Sequence, residues 1–174
     1  IAANPSASFP DQMDTWGDLK AVYRLFNAAK VKFSAVAKPH WEHTRAQAKG
    51  QTLIICDTTE LDFGCNRQIE GAKPTGNGSG RGFLLHNALM VDAATKAVVG
   101  LAGQAVHYRP EDAKSKTKET RAQSWARIRE SDLWGQVIDD VGPPADGVEY
   151  VYVCDRGADN FEVFLHLQQQ KGQW

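Results

Sequence analysis

Hydrophobic side chains follow a helical rhythm over the first fifty residues of the chain. Apolar positions recur every three or four residues in two stretches, as in helices that bury one face. Asp14 or Thr15 can cap the first helix. The second is expected to break at Pro39, because proline lacks a backbone donor, and to stop at Gly50. The pattern predicts a helical N-terminal segment over residues 1–50 that packs on a following core.

From Gln51 the spacing of apolar residues changes to that of strands. Three consecutive strands are expected, over residues 52–63, 83–91 and 97–107. The link between the last two is too short for a helix, so the three strands form an antiparallel meander. Residues 64–82, between the first two strands, are rich in glycine. They indicate a long loop that is either functional or disordered.

Two apolar runs end in the same dipeptide. Cys56 and Asp57 close the apolar part of the first expected strand, and Cys154 and Asp155 close a fourth run near the end of the chain. A helical pattern precedes this fourth run, so it can lie parallel to the first strand. The apolar residues of that pattern are Trp125, Ile128, Leu133, Trp134, Val137 and Ile138. Because side chains alternate along a strand, both acids point one way and both cysteines the other. The acids are expected to converge at strand ends, beside two buried thiols.

The order of these elements indicates an α/β fold. Three antiparallel strands, a helix, a parallel fourth strand and a final helix match the first part of a ribonuclease-H-like fold. We therefore expect a mixed sheet with flanking helices over residues 51–174. Asp159 can cap the final helix, whose buried side is expected to carry Phe161, Phe164, Leu165 and Leu167. The fold is expected to be incomplete at its C-terminus. The start at Ile1, without a methionine, indicates a processed product or an excised fragment.

Composition narrows the class of protein. The chain has 174 residues and a formal net charge of -1, so any binding to nucleic acid has to come from local patches. Its three cysteines lack the spacing of a zinc site, which favours a reduced compartment. The sequence shows no pattern of a membrane span or a signal peptide, and a cytoplasmic location is expected.

Two converging carboxylates have a limited range of uses. Like charges close together repel unless they share a proton or hold a cation. Mg²⁺ prefers oxygen ligands and binds through one or two carboxylates together with substrate phosphates. In a two-metal arrangement such ions support in-line displacement at a phosphodiester. The alternative is structural, because aspartates at strand ends often cap a loop or a helix.

A run of charged residues follows the third strand. It begins at Arg109 and includes Lys114, Lys116 and Lys118. Such a run is either a solvated segment or a patch that contacts phosphates. Arg81 lies in the glycine-rich segment, which is also slightly basic.

Several short motifs lie along nearly the whole chain. They are Tyr23-Arg24-Leu25-Phe26-Asn27, Asp57-Thr58-Thr59, Arg81-Gly82 with His86, Arg109-Pro110, Glu130-Ser131 with Trp134, and Cys154-Asp155-Arg156 with Ala158-Asp159. Each motif is short, but their order and spacing together are specific. Together they resemble the catalytic core of bacterial cut-and-paste DDE transposases, in the insertion-sequence-four group that includes the transposon-five enzyme.

The resemblance implies a function. Asp57 and Asp155 correspond to the first two acids of the DDE triad, which bind Mg²⁺ or Mn²⁺. In that family, water attacks one strand at the transposon end, the freed 3′-hydroxyl attacks the other strand, and the end is joined to target DNA. The implied partners are double-stranded DNA at transposon ends and targets and, for the full-length protein, a second copy in a homodimer. Contacts with the DNA backbone are expected from Arg81, Arg109, Lys114, Lys116 and Lys118.

Two features depart from the family pattern. Gly157 stands where the family commonly has a glutamate, which bears on the local structure beside Asp155. The third acid, a glutamate on a later helix, is expected beyond Trp174, and Glu162 lies too near Asp155 to replace it. The chain is therefore expected to be a transposase fragment that is inactive by itself. The alternatives are a non-catalytic transposase-derived relic or interaction module, and an unrelated ribonuclease-H-like nuclease.

Overall fold

The computed structural model describes residues 6–66, 69–76, 80–109 and 130–174 of the chain. The chain divides into two compact units, Ile1–Pro39 and His40–Trp174. The assignment of residues 51–174 to a catalytic core stays a prediction. No helix among the described residues is long and apolar enough to cross a membrane.

The first unit contains helix α1, Trp16–Phe26. Thr15 caps this helix, as predicted, and its side chain accepts a hydrogen bond from a backbone amide of the first turn at 3.2 Å. Phe9 lies before the helix and packs its ring against Tyr23 and Phe26, with ring centroids 6.0 and 5.7 Å apart. Part of the apolar stripe of α1 is therefore covered by its own N-terminal extension.

Helix α2, Phe33–Ala46, runs through Pro39 without the predicted break. Proline inside a helix removes only the hydrogen bond to the carbonyl of Ala35, and the turns on either side supply the others. The predicted stop at Gly50 is also wrong, because the helix ends at Ala46 and Gly50 begins the first strand. Gly50 has a φ of 51°, a left-handed conformation that suits glycine at a helix end and at a strand start alike.

The second unit is built on one mixed sheet. Its strands are β1 (Gly50–Asp62), β2 (Lys73–Thr75), β3 (Gly80–Asp92), β4 (Val98–His107) and β5 (Val148–Val153). They lie in the order β2-β3-β1-β5, with β4 also paired to β3. β1, β3 and β4 are antiparallel neighbours, and β5 is parallel to β1. The predicted meander, the parallel fourth run and the α/β class are confirmed.

The glycine-rich segment is not a loop along its whole length. Within it, Lys73–Thr75 forms β2, and the start of β3 at Gly80 pairs with this short strand. A Cβ atom at Gly82 would lie 1.7 Å from the backbone oxygen of Leu61, so only glycine lets β1 and β3 approach here. Gly82, one of the glycines that suggested a loop, is thus needed for close strand pairing.

Helix α3, Asp132–Val141, covers one face of the sheet. Its buried residues include the apolar positions that predicted it, namely Leu133, Trp134, Val137 and Ile138. It ends at Gly142, where φ is 73°. Trp125 and Ile128, which belonged to the same predicted pattern, lie outside the described residues.

Helix α4, Phe161–Gln169, follows a 3-10 turn at Arg156–Ala158. Asn160 caps this helix instead of the predicted Asp159, because Asp159 ends the 3-10 turn. The Asn160 side chain accepts a hydrogen bond of 3.0 Å from a backbone amide of the first helical turn. The buried residues of the helix are Val163 and Leu167. The prediction that Phe161 and Leu165 are buried is wrong, since both are exposed.

Candidate functional site

Asp57 and Asp155 lie at matching positions on two parallel strands. In the β1–β5 ladder each residue from Gly50 to Ile55 faces the residue 98 positions later in the chain. Asp57 and Asp155 are separated by the same 98 positions and come two residues after the ladder ends. Both residues are exposed. The strand register therefore aligns the two predicted acids.

The two acids occupy different parts of their strands. Both were expected at strand ends, but Asp57 lies within β1, which stays paired with β3 as far as Asp62. On its other side β1 has lost its partner, because β5 stops at Val153. Asp57 thus lies on an open stretch of β1, beside the end of β5 from which Asp155 emerges.

Asp155 also has a structural role. Its Oδ1 atom accepts a hydrogen bond of 2.7 Å from the backbone amide of Gly157 and so caps the 3-10 turn. Capping, the structural alternative for a strand-end aspartate, is therefore realised here. It uses one carboxylate oxygen and leaves Oδ2 out of that bond, so capping and cation binding are compatible.

A pair of thiols lies beneath the acids. Cys56 is buried in the core and Cys154 is partly buried against it, and both are free. The hydrogen-bonding contact between the two side chains raises the pKa of Cys56 and lowers the pKa of Cys154. Burial adds to the rise at Cys56 and opposes the fall at Cys154. The prediction of two buried thiols is confirmed for Cys56, whereas Cys154 is only partly buried.

His86 also belongs to the site, although the sequence indicated only that it is part of a matching motif. Its side chain is fully buried, and its Nδ1 atom lies 2.7 Å from the hydroxyl of Thr58. Its Nε2 atom is buried and has no hydrogen-bond partner among the described residues. The only sequence signal was a polar residue at an inward position of an apolar strand.

The charge state of His86 links it to both acids. Burial lowers its pKa to about 4, and the negative charges of Asp57 and Asp155 partly oppose this shift. Both carboxylates therefore act on the same buried ring. His86 is neutral at physiological pH.

Trp134 connects this histidine to the turn that holds Asp155. Its ring meets the His86 ring edge to face, with centroids 4.3 Å apart and planes at 72°. On the other side, a Cβ atom at Gly157 would lie 3.5 Å from Cζ2 of Trp134 and 2.9 Å from Oδ1 of Asp155. The indole therefore packs directly against the turn, at a place where the chain has no side chain.

Arg109 is held by two carboxylates. Its Nε and Nη2 atoms bond the two carboxylate oxygens of Glu130 at 2.5 and 3.2 Å, and Nη1 lies 3.5 Å from the Glu60 carboxylate. The guanidinium holds the pKa of Glu130 below its usual value. These pairs tie the end of β4 to β1 and to the residues before α3. DNA contact by Arg109 stays a prediction, and it would require exchange of these carboxylates for phosphate.

The other basic residues of the prediction are placed differently. Arg81 has an exposed side chain and lies within β3, so its assignment to a loop is wrong. The reason is the pairing of β3 with β2 through the glycine-rich segment. Lys114, Lys116 and Lys118 lie outside the described residues, and their contact with DNA stays a prediction.

The donor set at the acid pair fits a hard divalent cation. Asp57 and Asp155 offer carboxylate oxygens, which Mg²⁺ and Mn²⁺ prefer, while the Cys56 thiol faces the core. Among the described residues, no group of three or more His, Cys, Asp or Glu side chains is arranged to hold a metal ion. A cation at Asp57 and Asp155 would therefore complete its coordination with water or with phosphate oxygens of a substrate.

A groove of about 430 Å³ lies along the outer side of β5 and reaches Asp155. Its lining is mainly apolar and includes Val153, Phe164 and Trp174. Gln173 pairs with β5 in parallel, through hydrogen bonds of 2.8 and 2.9 Å to Tyr152 and Tyr150. On one side of Asp155, the acid pair therefore borders the edge of the sheet that β5 forms.

Neither a protein-family model nor a curated protein sequence matches this chain. Function is therefore inferred from the residues and from their geometry.

Proposed function

We propose that the chain is part of the catalytic core of a DDE transposase of the insertion-sequence-four group, which cleaves and transfers DNA strands with a divalent metal ion. The observation that carries the proposal is the parallel β1–β5 register, which aligns Asp57 with Asp155. The motif resemblance assigns the same two residues to the first two acids of the triad. With two acids alone, the chain is expected to bind metal without completing strand transfer.

The sheet supports a ribonuclease-H-like fold. With the short β2 set aside, the strands lie in the order β4-β3-β1-β5. β1, β3 and β4 form the antiparallel meander, and β5, the fourth of these strands along the chain, is parallel to β1. In a ribonuclease-H-like fold the first and fourth strands are also neighbours, and this arrangement brings acids from both to one place.

The residues of the chain have separate tasks at this site. Asp57 and Asp155 present negatively charged oxygens at the surface, and the hydrogen bond from Gly157 orients the Asp155 carboxylate. The buried Cys56 and His86 close the underside of the pair to water. A divalent cation, when bound, supplies charge stabilisation for the attacking and leaving oxygens of a phosphodiester.

The proposed partner is double-stranded DNA in the bacterial cytoplasm. Arg81 has an exposed side chain on β3 and is one of the proposed phosphate contacts. Since the formal net charge of the chain is -1, such contacts have to be local. A homodimer belongs to the proposal only for the full-length protein.

A calorimetric titration with Mn²⁺ tests the metal site. We expect the wild-type chain to bind Mn²⁺, and the Asp57→Asn and Asp155→Asn variants to bind at least about tenfold more weakly, because each loses a charged ligand. Asp62→Asn is the matched control, since Asp62 is an exposed aspartate at the far end of the same strand. Equal affinity in all four proteins, or no binding by the wild type, contradicts the proposal.

One observation favours a second candidate, a non-catalytic interaction module that keeps the fold. Within the described residues no third metal-binding side chain joins Asp57 and Asp155. Such a module need not bind metal at all, so the Mn²⁺ titration also separates the two candidates. Cleavage of plasmid DNA by the chain with Mg²⁺, lost in Asp57→Asn, would instead favour an unrelated nuclease that needs no transposon end.

A further inference from the structure

We propose that Thr58, His86 and Trp134 form a positioning bridge that fixes Asp155 relative to Asp57. The bridge crosses beneath the acid pair, from β1 through β3 and α3 to the turn after β5. Its purpose in catalysis rests on the proposed function, while its contacts are a property of the fold. None of the three residues is assigned a ligand or a reacting atom, so they are positioning residues.

The first contact holds β1 next to Asp57. Thr58 faces His86 directly in the β1–β3 ladder, and the hydroxyl and Nδ1 are 2.7 Å apart. Because side chains alternate along a strand, Thr58 points into the sheet face that α3 covers, while the neighbouring Asp57 points away from it. The hydrogen bond therefore fixes the backbone that carries Asp57, at a position where β1 is no longer paired with β5.

The second contact passes from β3 to α3. The edge-to-face packing of His86 on Trp134, with centroids 4.3 Å apart, places the imidazole between the Thr58 hydroxyl and the indole. Both rings are buried, so neither can turn without disturbing its neighbours. A displacement of the Thr58 side chain is therefore transmitted to Trp134.

The third contact reaches Asp155. The indole packs against the backbone of Gly157, where a Cβ atom would lie 3.5 and 3.6 Å from two of its ring atoms. The amide of Gly157 donates the 2.7 Å hydrogen bond that orients the Asp155 carboxylate. The position of the indole thus sets the position of the turn, and the turn sets the carboxylate.

The polarity of His86 supports a role beyond packing. Its inward neighbours on β3, Leu84 and Ala88, are apolar and equally buried. A histidine at this level leaves Nε2 buried without a hydrogen-bond partner among the described residues, which is unfavourable for folding. An apolar side chain would avoid this loss but would also give up the hydrogen bond to Thr58.

Nuclear magnetic resonance of the metal-free chain tests the bridge directly. In Thr58→Val and His86→Leu, the amide signal of Gly157 is expected to move, although neither substituted residue contacts Gly157. His86→Asn can place a polar atom near the position of Nδ1 but lacks the ring that packs on Trp134, so it is expected to move the signal as well. Thr52→Val is the matched control, because Thr52 is a buried threonine at the opposite end of β1.

Mn²⁺ affinity provides the second readout. Thr58→Val and His86→Leu are expected to bind Mn²⁺ about tenfold more weakly than Thr52→Val, as found when groups that orient a ligand are removed. A Gly157 signal that moves no further in Thr58→Val than in Thr52→Val overturns the bridge, whatever the metal result. Absence of Mn²⁺ binding by the wild type contradicts the proposed function instead, and the Gly157 signal then still decides whether the bridge exists.

Discussion

The imidazole of His86 lies 2.7 Å from the hydroxyl of Thr58, across the β1–β3 ladder and one residue from Asp57. This is a polar contact on the face of the sheet that α3 covers with apolar side chains. It places a titratable group beneath a pair of acids while keeping that group out of water. Several properties of the protein follow from this arrangement.

Acid is expected to destabilise the protein through His86. The pKa of His86 is about 4 in the folded chain and 6.5 ordinarily, mainly because of burial, with Asp57 and Asp155 opposing the shift. Between these values the unfolded chain binds more protons, so stability that is present above pH 6.5 is lost as the pH falls toward 4. The loss attributable to His86 is about 2 kcal/mol between pH 7 and pH 5.

Denaturant unfolding of the wild type and of His86→Asn at both pH values checks this prediction. The difference between the two proteins isolates His86, because the other histidines are common to both. A variant whose stability falls as steeply with acid as that of the wild type contradicts a buried, neutral His86.

Gly157 is expected to be required for the orientation of Asp155. A Cβ atom there would lie 2.9 Å from Oδ1 of Asp155, which is too close, so in Gly157→Ala the carboxylate has to shift from the position in which it accepts its hydrogen bond. We expect Mn²⁺ affinity to fall about tenfold, as for the loss of an orienting group, with little change in stability because the turn is exposed. Calorimetry and thermal unfolding of the same variant measure both effects. Unchanged Mn²⁺ affinity would show that the glycine is not needed for the site.

The two core cysteines are expected to differ in reactivity. The thiol of Cys56 is buried and its pKa is raised, whereas Cys154 is partly exposed and its pKa is lowered by the hydrogen-bonding contact with Cys56. Since the thiolate is the reactive form, iodoacetamide should modify Cys154 well before Cys56. Peptide mapping by mass spectrometry follows the time course, in a Cys65→Ser background that removes the exposed third thiol. Equal rates at Cys56 and Cys154 would contradict this difference between the two thiols.

Gly82 is expected to be indispensable for the pairing of β1 and β3. A methyl group at this position would overlap the backbone oxygen of Leu61 at 1.7 Å, so Gly82→Ala forces the two strands apart. We expect a loss of about 1–3 kcal/mol in the free energy of unfolding, the range for overpacked interiors. Gly17→Ala in α1 is the control, since its added Cβ would meet only Thr15 Oγ1 at 3.4 Å. Equal stability of the two variants would contradict the close approach.

Much of the sheet could be predicted from the sequence, because its strands carry short apolar runs and tight connections. The turn after β3 is one example, where the Asp92 side chain binds the backbone amide of Thr95 at 2.7 Å. The paired Cys-Asp dipeptides also predicted the parallel neighbours β1 and β5. These features are local, and each needs only a few adjacent residues to be recognised.

The rest depended on contacts between distant residues. The buried state of His86 follows from the packing of α3, which no local pattern shows. The glycines near Gly82 looked like a loop because a close approach of two strands and a flexible segment use the same residue. The start of α4 at Asn160 was missed because Asp159 is an equally good cap in sequence, and the preceding 3-10 turn decides between them.

The most direct measurement of the central claim is the paramagnetic broadening of backbone amide signals by substoichiometric Mn²⁺. Alignment of Asp57 with Asp155 around one cation predicts that the signals of both residues broaden first and together, and that Asp57→Asn weakens the effect at Asp155 as well. Broadening at only one of the two residues, or undiminished broadening at Asp155 in the Asp57→Asn variant, would contradict a shared metal site.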